Sequence, residues 1–340
     1  MHDSPAPLNQ LTPPNQLTPP NQPAPQDSGI AHHAGLSGTW FVSPTPFTAD
    51  GAVDPAGLAE IVEATADWGV DGITVLGVMG EVTALSDDER DLVLRAVLAA
   101  AQGRLPVAVG CSSPSAPLTA QRIARAQQLG AAAVMVSAPT LLRDTDQIRG
   151  FFSAACGSAG VPVIVQDEPA ATGVPMPVSA LLAALDGSAS SIVKLEDPPT
   201  PPKISRLLSE RGGLTVFGGL GGVSAYAELR RGASGTMTGF AFPEILRALR
   251  IAVADGEHAH AAVLFDRYLP YLSFEGQPVV GLGIRKEVLR RRGVIAHART
   301  RALRPNLDEI TLAELDDVLD RVGLKPERPA LSVASAGAWA

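Results

Sequence analysis

Short β-branched runs alternate along the chain with longer stretches whose apolar residues recur at helical spacing. The runs are TWFVS (39–43), DGITVLG (71–77), PVAVG (106–110), AAVMVS (132–137), PVIVQ (162–166), SIVKL (191–195), LTVFG (214–218) and GTMTG (235–239). Between them, segments such as DPAGLAEIVEATADWG and DDERDLVLRAVLAAAQG carry apolar residues three and four apart, the pattern of an amphipathic helix. Ser86 stands before DDER as an N-cap, with acids suited to the positive end of the helix dipole. Gly69 and Gly130 read as helix stops. Eight strand–helix units over about 215 residues match an α/β chain folded as a (β/α)8 TIM barrel. A doubly wound open sheet is the competing arrangement, but it usually has fewer strands, and no GxGxxG follows the first one. Further helical patterns follow near 243–255, 257–272, 278–292 and 311–322. The first completes the barrel and the others predict a C-terminal helical extension, so the chain divides into a barrel at 36–255 and an extension at 256–325.

The two ends break this rhythm. LTPPNQLTPPNQPAPQ repeats a six-residue, proline-dense unit almost without charge, and it predicts a disordered tail over residues 1–35. PERPALSVASAGAWA predicts a second flexible tail over 326–340. Of the 340 residues, 46% are hydrophobic and 18% charged, enough for a sizeable core. No apolar run approaches the roughly 20 residues that span a bilayer, and the N-terminus lacks the charged-then-apolar order of a signal peptide. The two cysteines, Cys111 and Cys156, have no metal-ligand spacing and read as reduced, buried residues. A net charge of −8 excludes nucleic acid and anionic membranes as expected partners. These features predict a cytoplasmic protein.

Candidate chemistry starts at SIVKLEDPPTPP (191–202), where an apolar strand ends in a lysine. Alternation puts Ile192, Lys194 and Glu196 on one face and Val193 and Leu195 on the other. In a barrel the C-terminal ends of strands build the active site, so Lys194 is expected in the mouth. A free lysine, with a pKa near ~10.4, is almost wholly protonated at neutral pH. Partial desolvation frees its amine to attack a carbonyl, and the iminium formed with a 2-oxo acid then acts as an electron sink. GVMGEVTALSDDER (77–90) runs from strand two into a helix, with glycines that leave backbone N–H groups open to an anion.

With these two segments the chain resembles the dihydrodipicolinate synthase/N-acetylneuraminate lyase family of class I aldolases, over about residues 36–325. SPTPFTADGAVD (43–54) and VPVIVQDEPAATG (161–173) share in the likeness. The resemblance implies that Lys194 forms a Schiff base and that Gly77, Val78, Met79, Gly80 and Glu81 hold the carboxylate of a pyruvate-like 2-oxo acid. It implies neither a metal nor an organic cofactor, and it suggests a homo-oligomer, tetramer or dimer.

The departures narrow the activity. The family's loop carries hydroxyl residues where Val78 and Met79 stand, which leaves backbone N–H groups to bind the carboxylate. Gln166, 28 residues before Lys194, replaces a proton-shuttling tyrosine. Ala171 stands where the synthases use an arginine, and Thr140 and Leu141 where paired tyrosines are usual. A true dihydrodipicolinate synthase is therefore not expected. The expected activity is that of a Schiff-base lyase, breaking a carbon–carbon or carbon–oxygen bond. Gln166 would orient a reacting group or water, and Glu196 would carry the proton. Asp167 and Glu168 follow Gln166, either to reach the mouth or to pair a basic residue such as Lys203 or Arg143. Glu81 is expected to hold backbone N–H groups more than to react. Thr140, Gly218, Gly219 and Thr238 complete the expected substrate wall. Two other readings stay open: a non-catalytic keto-acid-binding barrel, and an enzyme for a phosphate-bearing substrate held by FGGLGGVSA (217–225).

Overall fold

The computed structural model describes residues 36–301 and 307–326. The tails expected at 1–35 and 326–340 lie outside them, save residue 326. Eight strands form a closed barrel in sequence order: β1 (Gly38–Val42), β2 (Gly72–Val75), β3 (Val107–Gly110), β4 (Ala133–Ser137), β5 (Val163–Asp167), β6 (Ile192–Leu195), β7 (Thr215–Gly218) and β8 (Gly235–Thr238). All neighbours pair in parallel, and β8 closes on β1 with Trp40 opposite Met237. The helices that return the chain are α1 (Pro55–Asp67), α2 (Asp87–Ala101), α3 (Ala116–Leu129), α4 (Thr145–Cys156), a short α5 (Pro169–Thr172), α6 (Val178–Ser188), α7 (Thr200–Glu210), α8 (Ala225–Arg230) and α9 (Pro243–Ala254). Three more follow the barrel: α10 (His258–Glu275), α11 (Gly281–Arg291) and α12 (Glu309–Val322).

Local chemistry sets the element ends. Ser86 accepts the Glu89 N–H while the Glu89 carboxylate accepts the Ser86 N–H, a reciprocal cap that starts α2. Gly130 ends α3 at φ +101°, a conformation open to glycine without steric cost. The second strand is shorter than its sequence pattern suggests. Leu76 takes φ +57°, which turns the chain out of the sheet and into a tight turn over Val78–Gly80.

Strand alternation divides the core. Trp40, Val42, Ala108, Ala133, Met135, Ile164, Ile192, Phe217 and Met237 form one apolar cluster that fills the barrel. Ile73, Val75, Val107, Val109, Val134, Val136, Val163, Val165, Val193 and Leu195 face outward and pack under the helices. Packing this interior shut leaves the strand ends as the place where polar side chains can converge. No helix among the described residues is long and apolar enough to cross a membrane.

Candidate active site

Lys194 and Gln166 stand directly opposite each other in the β5–β6 ladder. Ser137 of β4 is the next partner of Gln166, and Phe217 of β7 is the next partner of Lys194. All four belong to the inward-facing register: Phe217 is part of the apolar plug, and Ser137, Gln166 and Lys194 stand one step above it. Lys194 is only 4% exposed and Gln166 5%. Two residues further along β5 and β6, alternation brings Glu168 and Glu196 to the same side.

These side chains form one network. Lys194 Nζ lies 2.8 Å from Glu196 Oε2. The Gln166 amide donates to Glu196 Oε2 and to Glu168 Oε2, each at 2.8 Å. An amide between two carboxylates must turn its NH2 toward them, because its oxygen would be repelled. Gln166 is therefore a bridge that sets the spacing of two acids, and its amide protons are not aimed at a reacting group as the sequence reading had it. Burial, and then the neighbouring charge of Glu196, push the Glu168 carboxyl up to about 7, with Lys194 opposing. At neutral pH a substantial part of Glu168 carries a proton. The chain's three tyrosines, Tyr226, Tyr268 and Tyr271, lie in α8 and α10, so none stands on β5 or β6.

Asp167 turns the other way. It is fully buried, paired to Lys203 of α7, and Lys203 also binds Asp197 at 2.7 Å. Burial raises the Asp167 carboxyl to about 6 against the pull of Lys203. Its place behind the sheet follows from alternation with Gln166, and it ties β5 and β6 to α7.

Across the barrel, the Gly77–Glu81 turn lies over β1. Its Gly80 carbonyl accepts the Thr45 hydroxyl at 2.7 Å. The N–H groups of Gly80 and Glu81 bond back within the turn, to Gly77 and Val78. The N–H groups of Val78 and Met79 open the turn, where a helical segment has no partner of its own to offer. Glu81, at φ +53°, sends its carboxylate to Lys286 Nζ of α11 at 2.6 Å and to the Arg301 N–H at 2.7 Å. It holds a backbone N–H, as expected, but one that belongs to a distant segment. Burial lowers the Lys286 ammonium to about 8, with Glu81 opposing. The Lys286 ammonium also sits 4.4 Å from the Phe47 ring centre, a cation–π contact.

The remaining expected wall residues are placed as follows. Gly218 and Gly219 are spacers for acids. A Cβ on Gly219 would stand 2.2 Å from Glu196 Cγ, and one on Gly218 would stand 1.9 Å from Glu228 Oε2. Glu228 is buried, hydrogen-bonded by Thr200, and raised to about 7 chiefly by burial. Two carboxylates beside this loop oppose a phosphate there, which removes the main support for the phosphate reading. Thr140 packs toward Gly173, and its carbonyl accepts from Arg143. Thr238 is not brought to the mouth: it alternates with the inward Met237, and its hydroxyl accepts the Phe240 N–H at 3.1 Å. Ala171 lies exposed on α5.

Sequence reasoning missed Ser137, whose hydroxyl donates to Ser112 Oγ at 3.0 Å. Both serines sit at strand ends, so the rule that found Lys194 could have found them. It also missed Arg285 and Lys286, for which local sequence holds no signal. A separate cleft of about 460 Å³ between α2 and α3, lined by Asp87, Arg90, Cys111 and Arg122, contains none of the network residues.

The profile of the dihydrodipicolinate synthetase family matches residues 36–320. The chain is 35% identical over 286 residues to an L-2-keto-3-deoxyarabonate dehydratase of Azospirillum brasilense, covering 82% of this chain and 92% of the relative. It is 32% identical over 263 residues to a 4-hydroxy-tetrahydrodipicolinate synthase of Xanthomonas axonopodis pv. citri, covering 76% and 86%. The crystal structure of a dihydrodipicolinate synthase from Rhodopseudomonas palustris superposes with a TM-score of 0.80 at 33% identity, covering 84% of this chain and 98% of the other.

Proposed function

The chain belongs to the dihydrodipicolinate synthetase family of lyases, and from that premise we propose that it forms a Schiff base through Lys194 and dehydrates a 2-oxo acid. The substrate class is a 3-deoxy-2-oxo aldonic acid, with a methylene at C3 and a hydroxyl at C4. The observation that carries this reading is the Lys194–Glu196–Gln166–Glu168 network, one amine flanked by two acids held apart by a single amide. The likeness to a dehydratase of such an acid supports the same direction.

In this reading the Lys194 amine adds to C2 and water leaves, giving an iminium that acidifies C3. Glu196 takes a C3 proton and an enamine forms. Its electrons expel the C4 hydroxyl, which leaves as water with the proton of Glu168. A conjugated imine remains, and its hydrolysis frees Lys194 and a product one water lighter than the substrate. Two carboxylates in unlike environments suit this division between base and acid. The exposed Ala171 and the absence of a tyrosine at the end of β5 favour elimination over condensation with a second carboxylate-bearing substrate. A homo-oligomer is the expected assembly.

The test is proton NMR in D2O. A lyase of this kind exchanges the methyl protons of pyruvate through the enamine, and it converts 3-deoxy-2-oxo aldonic acids into a new carbonyl compound. Exchange without conversion of any such acid would leave a keto-acid-binding barrel. Neither exchange nor conversion would end the Schiff-base reading.

A further inference from the structure

Arg285 is a buried cation at the mouth that the chemistry above does not use. Helix α11 grips the Gly77–Glu81 turn with two successive residues: Lys286 meets Glu81, and Arg285 meets Met79. Behind the guanidinium, Arg285 Nε donates to Glu275 Oε1 at 2.7 Å. Glu275 is itself fixed by the Tyr271 hydroxyl at 2.7 Å and the Ala241 N–H at 3.1 Å. In front, Nη1 lies 2.9 Å from the sulfur of Met79. A thioether is a weak acceptor, and a guanidinium has five N–H donors. Among the described residues, no oxygen accepts from either terminal nitrogen, although Arg285 is only 9% exposed.

Two glycines border that front edge. Gly221, at φ +66°, would place a Cβ 3.1 Å from Nη2. Gly239, at the end of β8, would place one 3.4 Å from Met79 Cγ and 3.8 Å from Arg285 Cδ. A side chain at Gly221 would crowd the fork, whereas one at Gly239 would press first on the Val42 carbonyl, at 3.0 Å. Meanwhile the turn itself lacks side-chain donors, because Val78 and Met79 have none to give.

We propose that Arg285 binds the C1 carboxylate of the 2-oxo acid, supplying from α11 the side-chain donors that the Gly77–Glu81 turn lacks. The carboxylate replaces the Met79 sulfur as the acceptor and takes a two-pronged, charge-assisted pair from Nη1 and Nη2. The N–H groups that open the turn complete its shell. Glu275 holds the fork in orientation, so little side-chain freedom is lost on binding. This assignment rests on the Schiff-base reading of the site.

The test uses the full chain and borohydride trapping of the imine at rising pyruvate concentration, scored by intact mass. Arg285→Gln, and Arg285→Met combined with Glu275→Gln so that no buried carboxylate is left unpaired, are expected to raise the half-saturating pyruvate concentration at least about tenfold. Methyl pyruvate, which carries no carboxylate, is expected to shift less than about twofold in the same variants. Arg285→Lys keeps the charge and loses the fork, and an intermediate rise is expected. Adding Met79→Thr to Arg285→Gln restores a donor on the turn and is expected to recover part of the loss. An unchanged pyruvate dependence in any folded charge-removing variant overturns the proposal. So does an equal shift for pyruvate and its ester, or a loss seen only with longer 2-oxo acids, which would place Arg285 at the distal end. If the unaltered protein traps no 2-oxo acid, the Schiff-base reading fails instead. Pyruvate binding to Lys194→Ala, with and without Arg285→Gln, then judges Arg285 on its own by calorimetry.

Discussion

On the β5–β6 side of the mouth, every polar group of the network reaches it from a strand or the residue just beyond one. On the β2 side, four strands away around the barrel, a turn is held by a helix whose residues lie 205 positions later in the chain. The first wall is a product of period-two alternation. Once Lys194 faces inward, Glu196, Gln166 and Glu168 must as well. The second wall depends on how α11 docks, and its ion pairs are buried with almost no access to water: Lys286 with Glu81, and Arg285 with Glu275. On the proposed function, the bond-breaking groups therefore stand where geometry is cheapest to specify, and the opposite wall is tied down from a distance. Damage to the first wall should stop turnover and leave the fold, whereas loss of the buried Lys286–Glu81 pair should weaken the fold itself.

The largest contrast comes from Lys194→Ala. Turnover and pyruvate proton exchange are expected to fall by on the order of 10⁴-fold or more, to background, while the urea midpoint stays within a small margin. A comparable loss of stability would erase the distinction between the walls. Lys286→Met does the opposite. It leaves the Glu81 carboxylate buried without its cation, and urea unfolding should show a loss of about 3–5 kcal/mol. A stable Lys286→Met protein would mean that the second wall is not the anchor described.

Glu196→Gln sharpens the first wall. The amide still fits beside Lys194 and Gln166 but cannot take a proton, so kcat is expected to drop about 10²-fold with little change in imine trapping. Equal loss of trapping and of kcat would make Glu196 a positioning group. Gly219→Ala should mimic it, since the added methyl drives into Glu196 Cγ, at 2.2 Å from where the Cβ must stand.

The smallest effects are in pH. Glu168 holds its proton up to about 7, so kcat should fall as pH rises through 7, by half at first and then toward tenfold per unit. Glu168→Gln should lose this alkaline limb. Stability has its own sign. Glu168 and Glu228 are raised in the folded protein above the ordinary carboxylate value, so the folded state binds more protons between about 4.5 and 7. Their contribution is whole below that window and is lost as pH rises through it. Glu228→Gln should flatten that part of a pH–stability curve, and a curve that rises there would contradict the assignment.

Much of this was readable from the residues. The eight strands, the cap at Ser86 and the inward face of Lys194 follow from local patterns that the closed barrel does not override. The role of Gln166 was legible only in part, because spacing gives its position and not the two acids it bridges. Gly218 and Gly219 looked like a ligand loop, since a glycine that makes room for a neighbour's carboxylate reads the same as one that makes room for a substrate. Thr238 was misplaced by counting to the strand end without checking the parity against Met237. Arg285 and Lys286 were out of reach, because no local pattern says where a C-terminal helix will dock.

Mass spectrometry after borohydride reduction is the most direct test of the central claim. The full chain is incubated with pyruvate and with a 3-deoxy-2-oxo aldonic acid, reduced and digested. An adduct on the peptide that contains Lys194, absent from Lys194→Ala, is the expected result. A folded protein that yields no adduct there with either acid would contradict the account.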